Sequence, residues 1–550
     1  GDNTLGANTT AANNTAVGSQ ALLSNTTGTQ NVAVGAYSLD ASTTASYNTG
    51  VGYRALSANT SAQENAAFGT DALLATTEGG RNAAFGAYAL TSHTTGANNT
   101  AVGYISLGAT TTGTQNTSLG YQAGDAITTG SYNVTIGANG GGGITTGDQN
   151  IAIGQGSMNA ACTGDTNTVV GDSALASNTS GSDNTVLGAA AMNANTTGAS
   201  NTAIGRDALD SNTTADHNVA VGKESLHTNT TGASNTALGN FSLALNTTAS
   251  NNTAIGYSAL LANTTGAQNT AVGKEAGDSI TTGSNNVALG YEALGKTTTG
   301  GDNTAVGRAA SLDNTTADGN VAIGNESLEN NTTGSNNVGV GKQAGRNVGG
   351  AGNVIVGTGG GINNTSADKQ VAIGFETTSQ NIDGSVTIGG SVASASSSTR
   401  YITLGFGADR TFITPGSSGW SGTSDSRLKE NITNHTLGLN FVNALRPVTY
   451  NWKKEKDVDN SLTYYKEGSN KRVNQDSETA ELKHGFVAQE VKALMDSNSL
   501  DSKSFNLWME MDDGTQGLSE GELVPILVKA LQEADDKIDA LTTRVAALEG

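Results

Sequence analysis

The sequence predicts a mainly β protein: a parallel β-solenoid or β-roll stalk built on a 17-residue repeat, followed by a smaller α+β domain ending in a coiled coil. Three observations predict this. Asn recurs every 17 residues from Asn14 to Asn337, in 20 successive units. Gly recurs in the same register from Gly18 to Gly341. After residue 423 charge density climbs: residues 1–423 hold 12 Lys+Arg and 26 Asp+Glu, whereas the much shorter 424–550 holds 15 and 22.

Each repeat is read in order. Asn14-Thr15-Ala16-Val17-Gly18 alternates with period two and is rich in small and β-branched residues, which predicts a short strand. The residue before Gly is always apolar, as at Val17, Val34, Phe68, Leu119, Ile136 and Val340. Four residues after Gly comes a second apolar position, usually Leu, as at Leu22, Leu39, Leu56 and Leu260, which predicts a second short strand. The rest is turn chemistry, Asn-Thr-Thr-Gly or a variant, as at 25–28 and 263–266. A unit this small cannot bury its own apolar face, so it must stack on its neighbours. Stacking at about 4.8 Å per coil aligns the Asn side chains into a hydrogen-bonded ladder, and roughly 22 coils give a length on the order of 100 Å. Gly marks a corner with positive φ or close backbone approach. Ala and Val are expected to fill a narrow interior, weak for one chain, and packing three Val/Ile/Leu ladders around an axis is the simplest remedy.

The Asn-x-Ala-Val/Ile-Gly-x-x-Ala unit resembles the head repeats of trimeric autotransporter adhesins, which implies a left-handed parallel β-roll in a trimer. Adhesin units are generally shorter, so the turn here departs from that pattern.

Composition argues against a set of ordinary globular domains and, taken alone, suggests disorder, which the order of the residues overrules. The 550 residues include 74 Gly, 9 Phe and 3 Trp, with 35% hydrophobic, thin for a large core. The net charge of −21 and the lack of a basic stripe argue against a nucleic-acid partner and describe a solvated acidic surface. Cys162 is the single cysteine, so neither an intrachain disulfide nor a zinc cluster can form. His93, His217, His227 and His435 lack metal-ligand spacing, and no metal or cofactor is expected. No run of about 18 apolar residues exists, so membrane insertion by a helix is not expected. Asn-Thr-Thr triplets match the glycosylation sequon, but turn geometry suffices to explain them. Gly140–Gly143 and Gly359–Gly361 lack the Lys-Ser/Thr of a phosphate loop. The chain opens inside a repeat, so further sequence is expected ahead of Gly1.

Register loosens after Gly341: Gly357 arrives one residue early and Gly389 closes the last recognisable unit. The organisation expected is a repeat stalk over 1–390, a neck (391–399) and distal end of the mature stalk through 423, an α+β domain over 424–522 and a coiled coil over 523–550. Strand-like text at 401–405 and 410–414 precedes Pro415.

From Ser424 the segment Ser424-Asp425-Ser426-Arg427-Leu428-Lys429-Glu430-Asn431-Ile432 resembles the opening motif of the endosialidase-type intramolecular chaperone domain, a self-cleaving peptidase at the C-termini of phage tail fibres and spikes. Tyr450-Asn451-Trp452 and His484-Gly485-Phe486-Val487-Ala488-Gln489-Glu490-Val491 look like that family's next two landmarks. The resemblance implies a cut between Thr423 and Ser424, with Ser424 as nucleophile and Lys429 as general base. A Ser hydroxyl needs such a base, and an amine serves only when burial or nearby positive charge lowers its pKa. Arg427 could supply that charge or form a structural ion pair; Ser426 is a competing nucleophile on spacing alone. Asn431, His484, Gly485, Gln489 and Glu490 are supporting candidates, with structural hydrogen bonding the plainer role for His484 and Glu490.

Val524, Leu527, Leu531, Ala534, Ile538, Leu541, Val545 and Leu548 alternate by three and four, a heptad seam that favours self-association. Pro525 suits a first helical turn. The expected protein is therefore a homotrimeric phage-type tail fibre or spike in the virion tail, assembled in the host cytoplasm and extracellular after release. Its expected partners are a host cell-surface receptor, a glycan or surface protein, and other virion tail proteins through sequence ahead of Gly1. The alternatives are a bacterial trimeric surface adhesin with no enzymatic activity, which the stalk alone would permit, and a fibre with its own glycan-cleaving site, for which no paired carboxylates recur.

Overall fold

The computed structural model describes residues 1–361, 365–378, 381–391, 402–406, 409–413, 421–422, 430–462, 464–474, 478–501, 507–511 and 514–550. The chain separates into two compact units, Gly1–Thr423 and Ser424–Gly550.

The first unit is a parallel β-solenoid. One three-residue strand per coil runs from β1 (Thr15–Val17) and β2 (Val32–Val34) to β23 (Val386–Ile388), and β24 (Ile402–Phe406) lies parallel on β23. Neighbours pair residue for residue, Thr15 opposite Val32, Ala16 opposite Ala33 and Val17 opposite Val34. Twenty-four parallel strands at about 4.8 Å make a ladder on the order of 110 Å long. The ladder does not close at Gly389: Ile388 stands opposite Leu404, one coil further on. It then turns back on itself, with β25 (Asp409–Ile413) antiparallel to β24 and β26 (Ser421–Gly422) antiparallel to β25. The neck over 392–399 and Pro415 lie outside the described residues.

Two details of the coil differ from expectation. There is one strand per repeat, not two. Leu22, Leu39 and Leu56 are fully buried but sit at φ of 52°, 54° and 54°, and the residues two before them, Gln20, Tyr37 and Arg54, also have φ near 60°. Left-handed backbone at alternate residues is not a strand, although it keeps the coil-to-coil bonding. The Leu22 amide donates to the Ser38 carbonyl at 3.1 Å in the next coil, and the Gln20 amide to Asp2 at 2.8 Å in the preceding one. A left-handed L-residue costs about 1–2 kcal/mol; full burial of the Leu side chain contributes about 1.5–3 kcal/mol in the other direction. The second difference is what fills the coil. Its interior is Ala and Leu, with Ala33, Ala67 and Ala84 at the strand centres, while the Val, Ile, Leu and Phe at the strand ends point outward. Val17 is 59% exposed and Leu187 48%. Period two explains this: with the middle residue inside, both flanks must face out.

The Asn ladder forms, chiefly from side chain to backbone. Asn184 Oδ1 accepts the Asn201 amide at 3.0 Å, while its Nδ2 donates to Gly198 O and to Asn167 Oδ1, each at 3.0 Å. A second ladder runs through the turn position Asn178, Asn195, Asn212, Asn229, Asn246 and Asn263, each Nδ2 from Asn195 onward donating to the preceding Oδ1 at 2.8–3.2 Å. His93 occupies that turn position earlier in the chain, buried between Thr76 Oγ1 (3.2 Å from Nδ1) and Asn99 Nδ2 (3.4 Å from Nε2). Burial lowers its pKa to about 4.

Stacking also fixes the register glycines. Gly205 has φ 132°, and a Cβ there would lie 2.6 Å from the Gly222 carbonyl oxygen of the next coil. No L-residue satisfies both conditions.

The second unit is an α+β arrangement. In order it holds α1 (Leu439–Ala444), β27 (Val448–Tyr450), β28 (Lys483–Gly485), α2 (Ala488–Ser497), β29 (Trp508–Glu510), β30 (Gln516–Leu518) and α3 (Leu523–Glu549). β27 pairs antiparallel with β28, and β29 with β30. Phe441, Val491, Met495, Leu507, Leu523 and Ile526 form its core. Glu533 on α3 locks α1 in place: its carboxylate accepts the Leu439 amide at 2.8 Å, at the positive end of that helix. Pro525 lies in the first turn of α3. The buried side of α3 is Leu523, Ile526 and Ala530, one residue out of phase with Val524, Leu527 and Leu531, so the heptad seam is a separate face and points to solvent.

Candidate functional site

Two of the landmarks read from sequence come together in space. β27 delivers Tyr450, and the chain leaving it delivers Asn451 and Trp452; β28 lies alongside, Thr449 opposite His484 and Val448 opposite Gly485, and runs through Phe486 and Val487 into α2. The Tyr450 and Trp452 rings meet edge to face at 5.4 Å. Asn451 Nδ2 donates to the Glu481 carbonyl at 2.8 Å, and Arg472 Nη1 to the Trp452 carbonyl at 2.7 Å, so the aromatic corner is tied from both sides. Trp508 on β29 donates through Nε1 to Gln516 Oε1 on β30 at 3.2 Å, with Lys492 Nζ 5.1 Å from its ring centre.

A cavity of about 640 Å³ lies here, lined by Asn451, Trp452, Val458, Leu462, Tyr464, Val473, Gln489, Met511 and Gln516 among others. Beside it is one of about 470 Å³, lined by Tyr450, Gly485, Phe486, Ala488, Leu518 and Glu520 among others. Both are walled by Trp452, Gln489, Gln516 and Gly517, so they form one groove with an aromatic and aliphatic floor and amide groups along its middle. Such a lining suits an extended peptide: apolar surface takes side chains, and the amides of Gln489 and Gln516 can each donate to and accept from a main chain.

The sequence-derived site residues fall in three places. Thr423, Ser424, Ser426, Arg427 and Lys429 lie outside the described residues. Gly485 and Gln489 line the groove. Asn431, His484 and Glu490 stand apart from it. Asn431 is exposed with φ 56°, and His484 is exposed on β28. Glu490 forms a two-pronged ion pair with Arg446: Nε donates to Oε2 at 2.9 Å and Nη2 to Oε1. That guanidinium holds the Glu490 carboxyl below the usual carboxylate range and raises the arginine in turn. The pair bridges α2 to the segment leading into β27. Sequence reasoning did not single out Arg446, Gln516, Met511 or Val458. For Arg446, the one available signal was a lone cation next to Pro447 just ahead of a strand.

Among the described residues no group of three or more His, Cys, Asp or Glu is arranged to hold a metal ion, and no helix is long and apolar enough to cross a membrane. Cys162 is buried in the solenoid interior, its Sγ accepting from Asn178 Nδ2 at 3.3 Å; burial pushes the thiol up.

Comparison with known proteins bears on the second unit. No curated protein and no solved structure matches the chain. Residues 424–500 match the family model described as the chaperone of endosialidase, a self-cleaving family, and that segment spans both the Tyr450–Trp452 corner and the Gly485–Gln489 wall of the groove. A chaperone-of-endosialidase module following a 24-strand parallel β-solenoid is consistent with a phage tail-fibre-like protein.

Proposed function

We propose that three copies of this chain assemble into a virion tail fibre that attaches to a host cell surface, and that the second unit aligns the copies and then cuts itself away between Thr423 and Ser424. One observation carries this reading. The solenoid bears an outward stripe of Val, Ile, Leu and Phe along its whole ladder, and α3 bears another, with Leu531 71% and Leu548 85% exposed. Both repeat in register along their elements, as surfaces that meet copies of themselves do, and uncovered apolar surface on this scale marks association. A three-fold arrangement brings three stripes onto one axis, and α3 forms the matching coiled coil.

In the cleavage step, Ser424 Oγ attacks the Thr423 carbonyl carbon while Lys429, as the neutral amine, takes the hydroxyl proton. The Oγ–C bond forms, the C–N bond breaks, and the lysine returns the proton to the departing Ser424 nitrogen. Water then hydrolyses the ester, leaving a Thr423 carboxylate and a free Ser424 amine. Each chain turns over once. Loss of the aligning unit leaves a fibre that cannot readily retrace its folding path, so its persistence becomes kinetic. On a denaturing gel the protein should run as two bands of about 423 and about 127 residues. Ser424→Ala and Lys429→Ala should each give one 550-residue band. A Ser424→Ala chain that still splits at this point would refute the assignment.

A further inference from the structure

The outward face of the solenoid ladder is made of two columns, the first and the third residue of each strand. Down the third column every residue from β1 to β23 is Val, Leu or Ile, except in β4 (Ala66–Phe68) and β5 (Ala83–Phe85), where it is Phe. Down the first column every residue is Thr, Val or Ile, except in the same two strands, where it is Ala. The coils with an enlarged third residue are thus the same coils that have a reduced first one.

The interior of the coil does not call for either change. Phe68 and Phe85 point away from it, 37% and 43% exposed, and the inward residue between the columns is Ala in β4 and β5, as it is in β1 and β2. The two rings stack at 4.8 Å with planes 6° apart, so they form one aromatic ridge two coils high. A bulky third residue does not by itself demand Ala in the first column, since Thr185 stands in the same strand as Leu187. No strand from β1 to β23 carries a charged residue, so the face offers nothing to an ionic partner and sets no charge against a copy of itself.

We propose that this face packs against a second copy of the chain, and that Phe68 and Phe85 of one copy seat on Ala66 and Ala83 of its neighbour, fixing the register of the stalk. In a ring of three copies with equal coils at equal height, each contact is head to tail: the third column of one copy meets the first column of the next. Bulk and space then match only where the same coils meet. A slide of one coil sets one Phe against Thr49 or Thr100 and leaves one Ala facing Val102 or Val51, respectively, so overpacking and a void arise together. Elsewhere in the third column the same slide exchanges only Val, Leu and Ile. The key keeps the copies in register after the second unit has left. The inference rests on the three-copy reading and deepens it by naming the residues through which the copies recognise one another.

The test is thermal melting of two full-chain variants, alone and together. Ala66→Thr with Ala83→Thr fills both seats with a residue that many other coils carry there, and should lower the solenoid transition by about 5 °C or more. Phe68→Val with Phe85→Val removes both knobs and should lower it by less. When the two variants are co-expressed under different tags and purified through both, the mixed particle should recover at least about half of the first variant's loss, because knobs then meet open seats across copies. Should the seat-filled chain fail to fold alone, its recovery in folded, doubly tagged particles is the expected result, and no recovery overturns the proposal. A seat-filled variant that melts like the wild type also overturns it. So does a mixed particle that keeps the full loss, because Phe and Thr would then clash within one chain. These results leave three-copy assembly standing when the wild type has the mass of three chains by light scattering; a wild-type mass of one chain overturns the assembly reading, and this inference with it.

Discussion

The two units solve the problem of stability in opposite ways. In the solenoid the contacts between coils join residues about 17 apart, and the same few are made again in each coil: a buried Ala, a buried Leu, an Asn bonded up and down, a Gly with no room for a side chain. In the second unit no contact is repeated, and a single small core gathers Phe441, Met495 and Ile526 from three separate helices. The difference teaches what each part can and cannot do. A ladder has no unique register for a second copy, because sliding by one coil restores nearly the same surface. A non-repeating domain has one register only, which is why the proposal gives the alignment of copies to the second unit.

Substitutions should separate the two regimes. The largest effect is expected for Gly205→Ala, which puts a methyl group against the Gly222 carbonyl at a backbone angle of 132°. It should destabilise the solenoid by about 3 kcal/mol or more, seen as a lower Tm for the β transition with the helical signal of the second unit unmoved. Next, Asn184→Ala leaves the Asn201 amide buried without its acceptor and removes one of the two amide donors to the Gly198 carbonyl, Asn195 Nδ2 being the other, at about 2–4 kcal/mol. Ile526→Ala should cost the second unit about 2–4 kcal/mol and leave the solenoid melt alone. Were Ile526→Ala to lower the solenoid transition of an already cleaved fibre, the division into two regimes would be wrong.

A smaller, conditional effect belongs to His93. Its pKa of about 4 in the fold lies below the unfolded value of 6.5. Above pH 6.5 both states are neutral there and nothing changes. As pH falls from 6.5 to 4 the unfolded chain takes a proton that the folded one refuses, so stability is lost across that window and levels off below it, by about 3 kcal/mol in all. His93→Asn restores the residue found at this position in other coils and should flatten the Tm-against-pH curve. The smallest effect is expected for Glu490→Gln: its ion pair with Arg446 is exposed, so Tm should barely move and gel cleavage should proceed as before.

Much of the solenoid was legible because its strongest constraints repeat. Asn and Gly recur without a miss, and each has a single physical cause that stacking supplies. The second strand was misread because Leu22 and its counterparts are apolar and evenly spaced, whereas their left-handed backbone leaves no trace in hydrophobic pattern. The turn Asn ladder was hidden for a related reason: Asn178 to Asn263 look like ordinary turn residues until the coils are stacked and each amide meets the one before. In the second unit the landmarks at 450–452 and 484–491 were visible as words, but the groove they wall was not. Val458, Val473 and Met511 reach it from irregular segments with no periodicity to read, and Arg446 finds Glu490 across 44 residues.

The most direct test is the absolute mass of the uncleaved Ser424→Ala chain in solution by multi-angle light scattering. Three chains per particle are predicted, falling to fewer when Ile538 and Leu541 on the exposed seam of α3 are changed to Asp. A wild-type particle with the mass of one chain, stable and rod-shaped, would contradict the account, because neither apolar stripe would then have anything to meet.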